Sequence, residues 1–276
     1  MKFVKRSARR VHILLLRRGY LAAGLCIAAA AILFAAVYAP AAVTVGATQR
    51  QLPIYSVERQ DRKVAISFDA AWGNEDTQTI IDVLGRYGVK TTFFVVGDWA
   101  QKYPESVEAL HAAGHEVMSH SLHHDHYNSL TAEQIVADVN ASCDAIEAVT
   151  GVRPTLIRPP YGEYDDHVIA AIRSLGMEPI QWDVDSLDWK DYDAGTICRR
   201  VTSKVAPGSI VLFHNAALHT PEALPTILEY LLNEGYEVVP ISQLILTAPY
   251  TIDHTGRQFA AINDKSDTPA RCEATN

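Results

Sequence analysis

Between residues 63 and 246 the chain alternates between short β-branched or aromatic runs and longer stretches with helical spacing, a rhythm that few architectures accept. The apolar runs fall at 63–68, 91–96, 115–119, 155–158, 178–183, 209–213 and 237–241. Between them, Ile80, Ile81, Leu84 and Tyr87 share one helical face, as do Ile135, Val139, Cys143 and Ile146, and then Leu224, Ile227, Leu228 and Leu231. Gly88, Gly114, Gly151, Gly176 and Gly235 stand where a left-handed residue would end each helix. Strands that alternate with helices pair in parallel, so the class is α/β. About seven units suit either an open doubly wound sheet or a barrel, and periodicity alone does not choose between them. Residues 47–62 read as a linker with one short strand, and residues 247–276 as a polar, mobile tail.

Charge is distributed unevenly. The chain carries 24 basic and 32 acidic side chains, yet residues 1–46 hold seven of the basic ones and no acidic one. The body is therefore acidic, which disfavours a nucleic-acid partner. The basic segment 1–18 precedes an uncharged apolar run, 19–46, long enough to cross a bilayer as one helix. Basic residues before such a helix hold the N-terminus in the cytoplasm. The expectation is a single-pass signal-anchor in the cell membrane with residues 63–246 as an extracytoplasmic domain; a cleaved export signal is the alternative, and both export the domain. Four cysteines without a CxxC pair exclude a disulfide scaffold or a zinc ribbon, and Cys143 and Cys198 are expected to stay unbridged. No protein partner can be inferred.

In either parallel architecture the reactive groups collect at the carboxyl ends of the strands. Five strands here deliver an ionisable side chain to that rim: Asp69, the pair His120 and His124, Arg158, the group Asp183, Asp185 and Asp188, and His214. His120 and His124, four residues apart, could face one ion, whereas His123 and His126 suit a solvated loop or a supporting role. His214 fits a proton donor to a leaving group, with Asp188 fixing its tautomer. Asp69 could instead cap the next helix, but Asn74 and Asp76 lie closer to that helix start. Arg158 would keep Asp69 ionised. Pro159-Pro160-Tyr161-Gly162 forms a rigid loop able to fix a backbone N–H.

In order, these segments resemble the five motifs of the NodB-type polysaccharide deacetylases, carbohydrate esterase family 4. The first motif, usually TFDDG, stands as Ser67-Phe68-Asp69-Ala70-Ala71, and the second as His120-Ser121-Leu122-His123-His124. The third is Arg158 to Gly162, the fourth Asp185-Ser186-Leu187-Asp188-Trp189, and the fifth Leu212-Phe213-His214. The wording of the first and fourth is most similar to the sporulation-associated PdaB-like branch. The resemblance implies a distorted barrel of parallel strands and helices, and metal-dependent removal of N-acetyl groups from amino sugars of cell-wall glycan, peptidoglycan or chitin-like. It implies Asp69 as base, His214 as acid, Arg158 and Asp188 as their partners, and the Tyr161 N–H, in the loop with Pro160, as an oxyanion donor. It places Trp189 and Leu212 at an acetyl pocket and a divalent metal, zinc or cobalt or another first-row ion, on His120 and His124.

One departure stands out. The second aspartate of the family's first motif supplies the third metal ligand, and here that position is Ala70. A methyl group cannot coordinate. Asp69 could turn to the metal, Glu75 or Asp76 could reach it, waters could complete the shell, or the site could hold no metal. The second expectation is therefore a catalytically weak or silent glycan-binding wall protein. A third, a glycosidase with Asp183 and Asp188 as its carboxylate pair, gives the histidines no role.

Overall fold

The structure is a computed structural model that describes residues 50–261, together with helical positions at Tyr20, Ala23, Cys26, Ala28 and Ala29. The basic segment 1–18, the rest of the expected transmembrane segment 19–46, and residues 47–49 and 262–276 lie outside the described residues. Among the described residues no helix is long and apolar enough to cross a membrane.

From residue 50 the strands are β1 (Ser56–Val57), β2 (Lys63–Ala70), β3 (Thr92–Val95), β4 (Glu116–Ser119), β5 (Leu156–Ile157), β6 (Glu178–Pro179), β7 (Val184–Asp185), β8 (Ile210–His214), β9 (Glu237–Val238), β10 (Tyr250–Ile252) and β11 (Arg257–Ala260). The main helices between them are α1 (Thr77–Arg86), α2 (Gly97–Lys102), α3 (Pro104–Ala112), α4 (Ala132–Thr150), α5 (Asp166–Ser174), α6 (Ala194–Thr202), α7 (Thr220–Asn233) and α8 (Ile241–Leu244). The large sheet runs β6-β5-β4-β3-β2-β8-β7, with β9 paired to the start of β2, and all its pairings are parallel. Seven parallel strands thus make a half-barrel in an α/β fold. Its edges, β6 and β7, are consecutive in sequence with no helix between them. Ile54 bridges Ile180 and Ser56 bridges Ser209, so the chain ahead of β2 lies across the open side.

Period-two alternation explains why β2 is apolar along nearly its whole length. Val64, Ile66, Phe68 and Ala70 face a large apolar cluster shared with α1, α3, α6 and α7. Ala65 faces the opposite way, into a cluster inside the half-barrel with Ile54, Phe94, Met118, Leu156, Ile180 and Ile210. Helix ends follow local chemistry. Thr131 and Gln134 form a capping box at the start of α4, and Gly151, at φ 71°, ends it. Asp76 occupies the N-cap position of α1 but does not cap it; its carboxylate accepts the Ala216 N–H instead, at 2.9 Å.

Two further expectations are corrected or refined. The polar stretch from 247 to 261 is not a loose tail, because β10 and β11 pair antiparallel and β11 pairs in parallel with β1. Gly208, at φ 83°, admits β1: a Cβ there would lie 1.8 Å from the Val57 carbonyl oxygen. Cys143 and Cys198 are both free thiols.

Candidate active site

The carboxyl ends of the strands open into one hollow of about 580 Å³, lined by Asp69, Trp72, His120, His124, Tyr161, Gly162, Trp182, Asp185, Trp189, Leu212 and His214. Parallel register sets Asp69 beside His214, because the two are partners across β2 and β8. Asp69 is buried, and its Oδ1 accepts a hydrogen bond from Arg158 Nη1 at 2.6 Å. Burial opposes ionisation of Asp69, but the Arg158 charge, then His120 and His214, hold it below the usual carboxylate range. Arg158 is itself fully buried, donates to Ser67 Oγ at 2.9 Å, and lies 4.2 Å over the Phe94 ring. The guanidinium thus has a carboxylate, a hydroxyl and an aromatic face around it, although its buried Nε–H has no hydrogen-bond partner among the described residues.

At the adjoining end of β8, His214 Nδ1 pairs with Asp188 Oδ1 at 2.8 Å. Asp188 is fully buried and accepts three more bonds, from the backbone N–H of His214 and of Trp189 and from Thr220 Oγ1. Burial alone would push the His214 imidazole down, yet the hydrogen bond and charge of Asp188, with Asp69 and Asp185 behind, raise its pKa. The pKa values of two titratable groups in one cavity are thus shifted in opposite directions, the carboxylate down and the imidazole up.

The Arg158–Gly162 loop contributes Tyr161, whose backbone is left-handed at φ 59°. Such a conformation is rare for a residue with a Cβ and marks a position held by its surroundings. The Tyr161 ring stacks on His126 with centroids 4.1 Å apart, and the His124 ring meets it at 4.4 Å. None of the described residues accepts the Tyr161 N–H. Pro160 is buried beneath the loop and does not line the hollow.

The donor chemistry toward a metal is partial. His120 Nδ1 bonds the Arg158 carbonyl oxygen at 2.7 Å, which leaves Nε2 facing Asp69 Oδ2 at 3.5 Å. The His120 and His124 rings lie 4.9 Å apart. Burial lowers both imidazoles, His124 to about 4, so neutral donors face the hollow. Among the described residues, however, no group of three or more His, Cys, Asp or Glu side chains is arranged to hold an ion. Ala70 packs in the apolar cluster on the helix side of β2. Glu75 and Asp76 do not repair the loss: neither lines the hollow, Glu75 accepts the Asn74 N–H, and Asp76 the Ala216 N–H.

The glycosidase reading loses one of its two carboxylates, because Asp183 does not line the hollow and Asp188 is taken up by His214. Asp183 is held by Ser209 Oγ and the Ile210 N–H, each at 2.8 Å, and burial lifts it to about 6. Sequence reasoning placed Asp185 at the rim, where it lines the hollow, but gave no role to Trp72 or Trp182, which also line it, nor to Asn215. Asn215 is buried; its side chain donates to the Trp72 and Gly73 carbonyls and accepts the Ala71 N–H. Its place directly after His214 was the one available signal.

Comparison with known proteins adds three findings. The polysaccharide deacetylase family profile matches residues 56–180. The peptidoglycan-N-acetylmuramic acid deacetylase PdaC of Bacillus subtilis is 34% identical over 189 residues, 68% of this chain and 40% of the relative. The chain thus spans about two fifths of the length of the curated relatives it matches first. Among solved structures, a carbohydrate esterase family 4 pseudoenzyme from Bacillus anthracis is 33% identical at a TM-score of 0.68, with 70% of this chain and 68% of that one covered. A mutant pseudoenzyme of that family, described as having restored enzymatic activity, is 34% identical at a TM-score of 0.67, with 70% of each chain covered. With the motif order, the parallel half-barrel and these similarities in agreement, the chain belongs to the polysaccharide deacetylase family.

Proposed function

We propose that this protein hydrolyses N-acetyl groups on amino sugars of cell-wall glycan, peptidoglycan or chitin-like, outside the membrane to which residues 19–46 attach it. The observation that carries the reading is that the pairs Asp69–Arg158 and His214–Asp188 stand side by side at adjacent strand ends in one hollow. An amide is a poor electrophile with a poor leaving group. Its hydrolysis needs a base for water, a donor to the carbonyl oxygen and a proton for nitrogen. Asp69, ionised beside Arg158, takes the proton of the attacking water. The Tyr161 N–H donates to the oxygen as charge builds on it. His214, its Nδ1 held by Asp188, gives a proton from Nε2 to the departing amine. Trp189 and Leu212 enclose the methyl group. His120 and His124 are the side chains that would hold a first-row divalent ion such as zinc; bound there, it would polarise the carbonyl and make water more acidic.

The full chain, given several divalent metals and acetylated chito-oligomers or peptidoglycan, is expected to release acetate. No release above a His214→Ala control would overturn the reading. Ala70 favours a second reading, a weak or silent glycan-binding protein, which predicts binding without turnover. Ala70→Asp separates them: a large gain in acetate release marks a crippled native site, and little change shows that another group already serves.

A further inference from the structure

Three aromatic side chains stand more than half exposed around the mouth of the hollow: Trp72 at 59%, Trp189 at 56% and Tyr161 at 55%. A single exposed aromatic on a protein surface is ordinary, but three on one rim form a surface that something covers. The tryptophan next along the chain, Trp99, is buried at 3%.

Trp72 is presented rigidly. The Asn215 side chain ties the backbone at Ala71, Trp72 and Gly73, and Trp99 Nε1 donates to the Gly73 carbonyl at 2.6 Å. The Asn215 N–H in turn donates to the Asp69 carbonyl at 3.0 Å. One buried side chain therefore fixes the backbone that carries the exposed indole to the strand end that bears Asp69. The Trp72 ring meets His124 edge-on at 5.2 Å, on the side of Asp69 away from β7 and Trp189. Trp72 follows β2 and Trp189 follows β7, with β8 between them, so their strands of origin lie two sheet spacings apart, about 10 Å.

An N-acetylated sugar ring is uncharged and has an apolar C–H face, which suits the face of an indole and is not repelled by an acidic protein. We propose that Trp72 is a stacking platform for the sugar that adjoins the acetylated one, so that the site selects a neutral amino-sugar chain over a single sugar. This inference rests on the glycan reading of the hollow.

The test uses the full chain in mild detergent and isothermal titration with tetra-N-acetyl-chitotetraose and with N-acetylglucosamine. Acetate release is followed in parallel. Trp72→Ala is expected to weaken tetramer binding about tenfold, and Trp72→Phe, which keeps a ring, less than about threefold, with monomer affinity unchanged in both. Chain-length selectivity without acetate supports the platform and sinks the hydrolase reading. Acetate release without chain-length selectivity sinks the platform alone. Tetramer affinity unchanged in Trp72→Ala, or native protein that binds tetramer no better than monomer, overturns the proposal.

Discussion

The two sides of the hollow differ in how complete they are. On the acid side every oxygen of Asp188 is occupied: His214 Nδ1 and the Trp189 N–H take Oδ1, and the His214 N–H and Thr220 take Oδ2. On the other side Asp69 is matched with Arg158, but the two imidazoles beside it face the hollow without a third donor among the described residues, and Ala70 points away into the apolar cluster. The paired groups for proton transfer and the donors for an ion are thus separable features of one cavity, and the first set is more complete than the second. The difference also says where each change should be felt. Alterations on the acid side act on the rate; alterations on the base side act first on folding or on metal retention.

The sharpest break is Asp188→Asn. It leaves the shape of the acid side but removes the charge that fixes and protonates His214, so kcat for acetate release should fall on the order of 10⁴-fold. Because a general acid must be protonated, the alkaline limb of the pH–rate profile should also move to lower pH. Next is Arg158→Leu, which strands a buried carboxylate. Its expected cost is about 3–5 kcal/mol of stability, read from the urea midpoint. Ala70→Asp is milder and more telling. A carboxylate set among apolar side chains should destabilise the metal-free protein by about 1–3 kcal/mol, read by thermal unfolding. Added zinc should restore the loss if that carboxylate turns to His120 and His124; a loss that zinc does not relieve would leave the two sides as unequal as they now are.

His214 also carries a stability signature. Its folded pKa lies above the ordinary 6.5, so its contribution is full below that value and is lost as pH rises through the raised one. Thermal midpoints should therefore decline with pH above about 6.5, and Asp188→Asn should flatten the decline. The smallest effect expected is that of His126→Ala, which removes the stack beneath Tyr161. A loss of about 1 kcal/mol in transition-state stabilisation, seen in kcat with KM unchanged, would show that the left-handed backbone depends on that ring.

Much of the site could be read from the chain because it depends on strand ends. A residue that follows an apolar run in a parallel fold has nowhere to go but the rim, which is why Asp69, His120, His124, Arg158 and His214 meet. The orientation of Ala70 also follows, since alternation turns it away from Asp69. Asn215 was not legible, because its work is done through backbone atoms of residues 71–73 and no pattern of residue types reports that. Asp76 has the right identity for a cap and the right position, yet it is drawn off by the Ala216 N–H, a contact 140 residues away. The polar stretch 250–260 escaped notice because two short strands without apolar alternation are recognisable only once their partner, β1, is in place.

That last pairing has a consequence for how the chain is made. Ser56 and Val57 are joined to Arg257 and Gln258, about 200 positions later. During synthesis the half-barrel can assemble strand by strand, but the pairing of β1 with β11 cannot form until residue 258 has been made. Until then β1 is held from one side alone, by Gly208 and Ser209, and its other edge stays open for the last hairpin.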